Sequence, residues 1–308
     1  MSAASGTASD APSVTRRGGT RPGALWWLAV PALLFFTVFG VLPLLGVVGL
    51  SFARWNGIGA ITPGGLSAWR AVLGDPGLAH SIWVTFEIMA VSWLVQTPAS
   101  ILLGTFLAGP QRYRAFLAVL YVVPLLLSSA AIAVTWKALL DPNFGLGAGL
   151  GWDLLSQNWL GEGALAVGVV IFIVSWQFVP FHALIYQGGV RQIPRSLYEA
   201  AEIDGAGRVR QFFSITLPQL KYTVITSSTL MVVGSLTFFD LIFVLTAGGP
   251  GDATRVLAVE MYQTGFLGNQ MGPASAIAVI IVFSGLVIAQ VLRRLGGRDP
   301  SASELEGM

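Results

Sequence analysis

The chain of 308 residues is 54% hydrophobic and only 10% charged, and a mean hydropathy of +0.73 excludes a soluble globular domain. Cysteine is absent, which excludes disulfides and thiolate metal centres. The formal net charge of +2 matters less than where the basic residues sit.

Residues 1–22 are rich in Ser, Ala, Gly and Thr, carry Arg16 and Arg17, and hold nothing that could bury a core, so a disordered tail is expected. The apolar run Leu25–Leu50 is too long for a signal peptide and no cleavage site follows it, so it reads as a first spanning helix. Five further runs are each near the roughly 20 residues that a bilayer requires: Trp83–Leu107, Ala115–Leu140, Ala164–Tyr186, Tyr222–Thr246 and Ala274–Leu292. Pro31, Pro43, Pro98, Pro124 and Pro180 fall in or near these runs, where neighbouring helices can satisfy the freed carbonyls.

Six spans within residues 23–297 put both termini on one side. That side holds thirteen of the seventeen Lys and Arg residues, from Arg16, Arg17 and Arg21 through Arg112, Arg114, Arg191, Arg195, Arg208, Arg210 and Lys221 to Arg293, Arg294 and Arg298. Arg54, Arg70, Arg255 and Lys137 lie on or near the other. The basic side is therefore expected to be cytoplasmic, with residues 298–308 as a second cytoplasmic tail. The opposite side presents Asn56–Ser81, Asp141–Gly163 and Ala247–Gly272, loops long enough to fold onto the membrane surface and receive a soluble partner.

Within the cytoplasmic loop 188–221, Pro194–Lys221 is a polar, amphipathic island between two apolar runs. Pro194 suits a first helical turn, and Leu197, Ala200 and Ala201 recur at helical spacing. Asp204-Gly205 punctuates, Gly205 being suited to a left-handed helix end. Val209, Phe212 and Phe213 repeat the spacing, and Pro218 falls where a new helix can begin. Glu199-Ala200-Ala201, Gly205, Ile215, Leu217 and Pro218 stand at the spacing of a known motif, and the block resembles the EAA loop of permease subunits in binding-protein-dependent ABC importers. The resemblance implies a coupling helix that docks on an ATP-hydrolysing subunit. It assigns that contact to Leu197, Tyr198, Glu199, Ala200, Ala201, Asp204, Gly205, Phe212, Phe213, Leu217 and Pro218.

No catalytic machinery is visible in the chain. The two lysines, Lys137 and Lys221, follow Trp136 and Leu220, so there is no Gly-Lys phosphate loop and ATP would have to be hydrolysed elsewhere. The two histidines, His80 and His182, fall on opposite sides by this topology, which argues against a metal site or a Ser/His nucleophile. His182 reads as a helix-packing residue. Polar groups inside spans normally face protein or water. Glu87 and Lys137 lie near span ends and can snorkel. Gln96 and Gln177 lie deeper, where a solute or another helix can use their amides.

Phe239-Asp240, then Leu245-Thr246-Ala247-Gly248-Gly249-Pro250, Thr254 and Tyr262, resembles the end of the fifth span and the loop after it in the sugar-importing branch of the same family. In maltose-type relatives the solute is held by the spans flanking the EAA loop, and the matching positions are Phe178, Phe181, Ser235 and Phe238. Gln177 and Asp240 complete the expected pathway. Aromatic faces suit sugar rings, although each Phe alone is equally what a helix- or lipid-facing position carries. Ser235 departs from the amide of the maltose-type relatives, so solute identity does not transfer.

The expectation is an all-α integral membrane protein of six transmembrane helices with type I ABC importer permease architecture, in a bacterial plasma membrane. The resemblance implies a second homologous permease, two ATP-binding subunits and an extracytoplasmic solute-binding protein as partners, with no nucleic acid. It implies no cofactor on this chain, ATP and Mg belonging to the ATPase subunits. The alternatives are an importer of glycerol phosphate or peptide, or a single-chain secondary transporter, which should carry carboxylates deep in several spans.

Overall fold

A computed structural model describes Trp27, residues 29–109 and residues 112–296; the tails expected at 1–22 and 298–308 lie outside the described residues. The chain forms two compact units, one ending at Gly46 and one beginning at Val47. The first unit carries most of helix α1, Val30–Leu50, which includes one π turn at Thr37–Val41. Its Phe35 and Phe39 rings stand 4.7 Å apart.

The second unit opens with a two-stranded hairpin, β1 (Ala53–Arg54) against β2 (Thr62–Pro63), and a short helix α2 (Ser67–Leu73). Helix α3 (Pro76–Leu107) starts under an Asp75 cap, whose carboxylate accepts the Gly77 N–H at 2.8 Å. The span therefore begins before Trp83 and takes in part of the loop expected at 56–81.

The structural axis is α3 against α7, Gly163–Gln192, which follows the short helix α6, Leu146–Leu150. Ser100 Oγ donates to the Val179 carbonyl at 3.2 Å and Gln187 Nε2 to the Leu107 carbonyl at 2.8 Å. Gly104 lets the backbones meet: a β-carbon there would lie 2.6 Å from the Ala183 carbonyl oxygen and 2.8 Å from Tyr186 Cβ. Small and polar residues at the contact are what helices use in lipid, where burial against hydrocarbon gives no drive to associate.

Two of the six expected spans are broken. Helices α4 (Arg112–Leu126) and α5 (Ser129–Leu139) meet at 93°, and α11 (Lys221–Ser235) and α12 (Asp240–Thr246) at 48°. Among the described residues, four helices, α1, α3, α7 and α14 (Met271–Gly296), are long and apolar enough to cross a membrane uninterrupted, and the count reaches six with each bent pair as one span. The first break follows Pro124, and extended Ser128 restarts the chain by accepting the Ala131 N–H on its hydroxyl at 3.2 Å. At the second, Ser235 and Thr237 donate to the carbonyls of Val232 and Gly234, both at 2.8 Å, satisfying acceptors that a continuing helix would use.

The other departure is in the loop 247–272. Rather than lying on the surface, it contributes helix α13 (Leu257–Tyr262), in which Leu257 and Val259 are fully buried. Val259 joins the core of Ile173, Val174, Leu241 and Ile242, and Leu257 joins that of Val72, Leu78, Ala276 and Ile277. The Leu257 N–H donates to Thr85 Oγ1 at 2.8 Å. Buried Glu260 receives Arg255 Nη1 and Ser81 Oγ at 3.4 Å and Thr264 Oγ1 at 3.3 Å, while Arg255 also pairs with Asp252. Removing one partner of such a pair leaves the other desolvated. Arg255→Ala is expected to lower stability by about 1–3 kcal/mol, discounted for the partial exposure of the arginine. Thermal denaturation in detergent is the check, and an unchanged midpoint would refute the role given to the pair.

Candidate coupling surface and solute cavity

The segment between α7 and α11 folds as two short helical pieces around a turn. Helix α8 (Arg195–Ile203) begins one residue after Pro194, which is its cap rather than its first helical residue. The chain reverses at Gly205, φ +74°, where the N–H of Gly205 donates to the Glu202 carbonyl and that of Ala206 to Ala201. Helix α9 (Arg208–Gln211) passes through a π turn, Phe212–Thr216, into α10 (Leu217–Gln219), whose first turn carries Pro218.

The block divides into an anchored side and a bare side. Phe212 and Leu217 pack on the cluster of Ile101, Tyr186 and Leu220, and Tyr198 Oη meets the buried Thr216 Oγ1 at 2.9 Å. Phe212 and Leu217 hold the block to α3 and α7, and Tyr198 ties α8 to the π turn within it. Glu199, Ala200, Asp204, Gly205 and Pro218 are exposed, Ala201 is half-buried, and Leu197 is exposed. Ile203, Val209 and Phe213 are 88%, 72% and 62% exposed. Helix α8 buries none of its residues, although its apolar side chains sit at helical spacing. Exposed apolar side chains grouped among polar ones mark an interaction surface.

A cavity of about 270 Å³ lies between α3, α7 and α11. Phe178, Phe181 and Phe238 line it, together with Gln96, His182 and Met231. The Phe178 and Phe238 rings stack at 5.6 Å, and the Phe181 ring meets His182 edge-on at 5.1 Å. His182 Nδ1 is hydrogen-bonded to Ser227 Oγ at 2.9 Å, so the ring is fixed from behind while it lines the space.

Three residues expected on the pathway, Gln177, Ser235 and Asp240, do not line this cavity. Gln177 is buried and turned to α5, donating from Nε2 to Ser129 Oγ at 3.2 Å. Ser235 is buried with its hydroxyl bonded to its own helix. Asp240 is exposed at the start of α12, outside the cavity lining. Glu87 and Lys137 are exposed, in keeping with snorkelling.

The family described as binding-protein-dependent transport system inner membrane component matches residues 96–298. The chain belongs to this family. A probable ABC transporter permease protein of Pyrococcus horikoshii is 33% identical over 89% of this chain and 95% of its own. The sn-glycerol-3-phosphate transport system permease protein UgpA of Brucella abortus is 32% identical, covering 86% and 90%. The trehalose/maltose transport system permease protein MalF of Thermococcus litoralis is 30% identical, covering 87% and 92%. A chain in the crystal structure of a bacterial ABC transporter involved in the import of the acidic polysaccharide alginate superposes with a TM-score of 0.77 at 22% identity, over 90% of this chain and 96% of that one.

The match on this inner membrane component starts at Gln96, midway along α3, and so takes in both the cavity and the block between α7 and α11. The sequence signal for the cavity side of α3 was a single buried amide. Gln96 and Met231 are 135 positions apart in the sequence, and only the packing of three helices makes them neighbours.

Proposed function

We propose that this permease is the membrane-spanning subunit of an ATP-driven importer of a carbohydrate, working by alternating access. The observation that carries the coupling half is the bare apolar face of α8 and its neighbours, on a block anchored directly to α3 and α7. One of two partner ATPase subunits, which hold ATP and Mg, would bear on that face through Leu197, Glu199, Ala200, Gly205 and Phe213. Phe212, Leu217 and Tyr198 would pass the movement inward, and Asp204, Ala201 and Pro218 would shape the turn. The chain's own contribution is differential contact with two states of the ATPase, not catalysis.

The distribution of Lys and Arg supports a multi-pass orientation with both termini and the coupling block in the cytoplasm. A second homologous permease would complete the pathway, and an extracytoplasmic binding protein would deliver the solute. The aromatic lining of the cavity and the trehalose/maltose relative support a carbohydrate. A glycerol phosphate solute is favoured by the Brucella relative, but among the described residues no Lys or Arg lines the cavity to hold a phosphate.

A pull-down from detergent-solubilised membranes, comparing the native chain with Glu199→Lys, tests the coupling. The native chain is expected to bring down an ATPase and a second permease, and the variant to lose the ATPase alone. A native chain that purifies without either would refute the assembly.

A further inference from the structure

A second group of aromatic rings lies just beyond the cavity and has no role in the reading above. Phe239 and Phe243 of α12 stack at 5.1 Å, and Tyr262 of α13 stands 5.0 Å from the first and 4.9 Å from the second. Phe266 stacks on Tyr262 at 5.3 Å and is 62% exposed. Phe239 directly follows Phe238, so the group adjoins the Phe178–Phe238 stack that lines the cavity.

Exposed phenylalanines in a membrane protein ordinarily face lipid. Asp240 argues otherwise here. It lies three residues before Phe243 and shares its face of α12. It is exposed, and among the described residues it forms no ion pair. A bare carboxylate in a span faces water or protein rather than hydrocarbon. The side of α12 that carries Asp240 and Phe243 is thus turned to water or to protein, not to hydrocarbon. Flat rings beside a carboxylate that accepts hydroxyl hydrogen bonds form the donor set of a sugar subsite, and the same carboxylate repels an anionic solute.

We propose that Phe239, Phe243, Tyr262 and Phe266, with Asp240, form an outer subsite that holds the trailing rings of a neutral oligosaccharide whose leading ring enters the cavity. The inference rests on the carbohydrate reading and narrows it to neutral oligomers.

The test uses the assembled transporter in proteoliposomes with its binding protein. The probes are neutral di- to hexasaccharides of the glucan, xylan, arabinan and galactan series, with sn-glycerol 3-phosphate as the anionic control. Phe266→Leu and Tyr262→Leu keep apolar bulk and remove the ring face; Phe266→Tyr restores it. The expected result is tetrasaccharide uptake lowered about fivefold by each Leu variant, with disaccharide uptake changed less than twofold and Phe266→Tyr near the native rate. Leu variants that slow all lengths equally without rescue by Tyr, or that change nothing, overturn the subsite and leave the carbohydrate reading standing. A native transporter that takes only disaccharides also overturns the subsite alone. Native uptake of glycerol phosphate and of no saccharide overturns both.

Discussion

Gly205→Pro is expected to abolish uptake and ATPase association while the chain still inserts in the membrane. Gly205 holds φ +74°, and its N–H donates to the Glu202 carbonyl at 3.0 Å. Proline fixes φ near −65° and has no N–H, so the turn between α8 and α9 cannot form. Open space surrounds the position, so the effect is one of backbone alone. Gly205→Ala then gives a graded control: an L-residue in the left-handed region costs about 1–2 kcal/mol, enough to weaken association without eliminating it. Co-purification of the ATPase at native yield with Gly205→Pro would sink the coupling assignment. Normal membrane levels of the variant are needed to separate this outcome from misfolding.

Gly104→Leu is expected to destabilise the permease itself. Its β-carbon would enter the backbone of α7 at Ala183 and Tyr186, where no flexible side chain can yield. Overpacking costs about 1–3 kcal/mol where the surroundings relax, and more where backbone is the obstacle. Separation of α3 from α7 would also break the Ser100–Val179 and Gln187–Leu107 hydrogen bonds. A large fall in thermal midpoint and in membrane abundance should follow. A variant that melts at the native temperature and supports full uptake would show that the close contact at Gly104 is dispensable.

What the sequence disclosed depended on the range of the forces involved. The interiors of α3, α7 and α14 are legible as long apolar runs because hydrocarbon selects for them residue by residue. Their ends are not: α3 begins at Pro76 and α7 continues to Gln192, since polar residues at a span end still reach the interface. Gly205 was legible because only its local backbone matters. That Ser235 and Asp240 stand outside the cavity lining was not legible for the opposite reason, since helical spacing does not reveal that a hydroxyl turns to its own helix or that the span breaks before Asp240. Helix α13 was hidden because six residues containing a glutamate read as loop until Ser81, Arg255 and Thr264 are brought around the carboxylate.

The breaks between α4 and α5 and between α11 and α12 bear on how the protein is made. Leu126, Leu127, Ser128 and Thr237 are exposed at these bends, and irregular backbone at membrane depth is stable only under water or protein. A newly inserted copy with neither water nor protein against these surfaces is therefore an incomplete folding unit. Cellular abundance of the chain would then follow the supply of whatever covers the bends, with surplus copies open to degradation, so that stoichiometry is set by turnover as much as by synthesis.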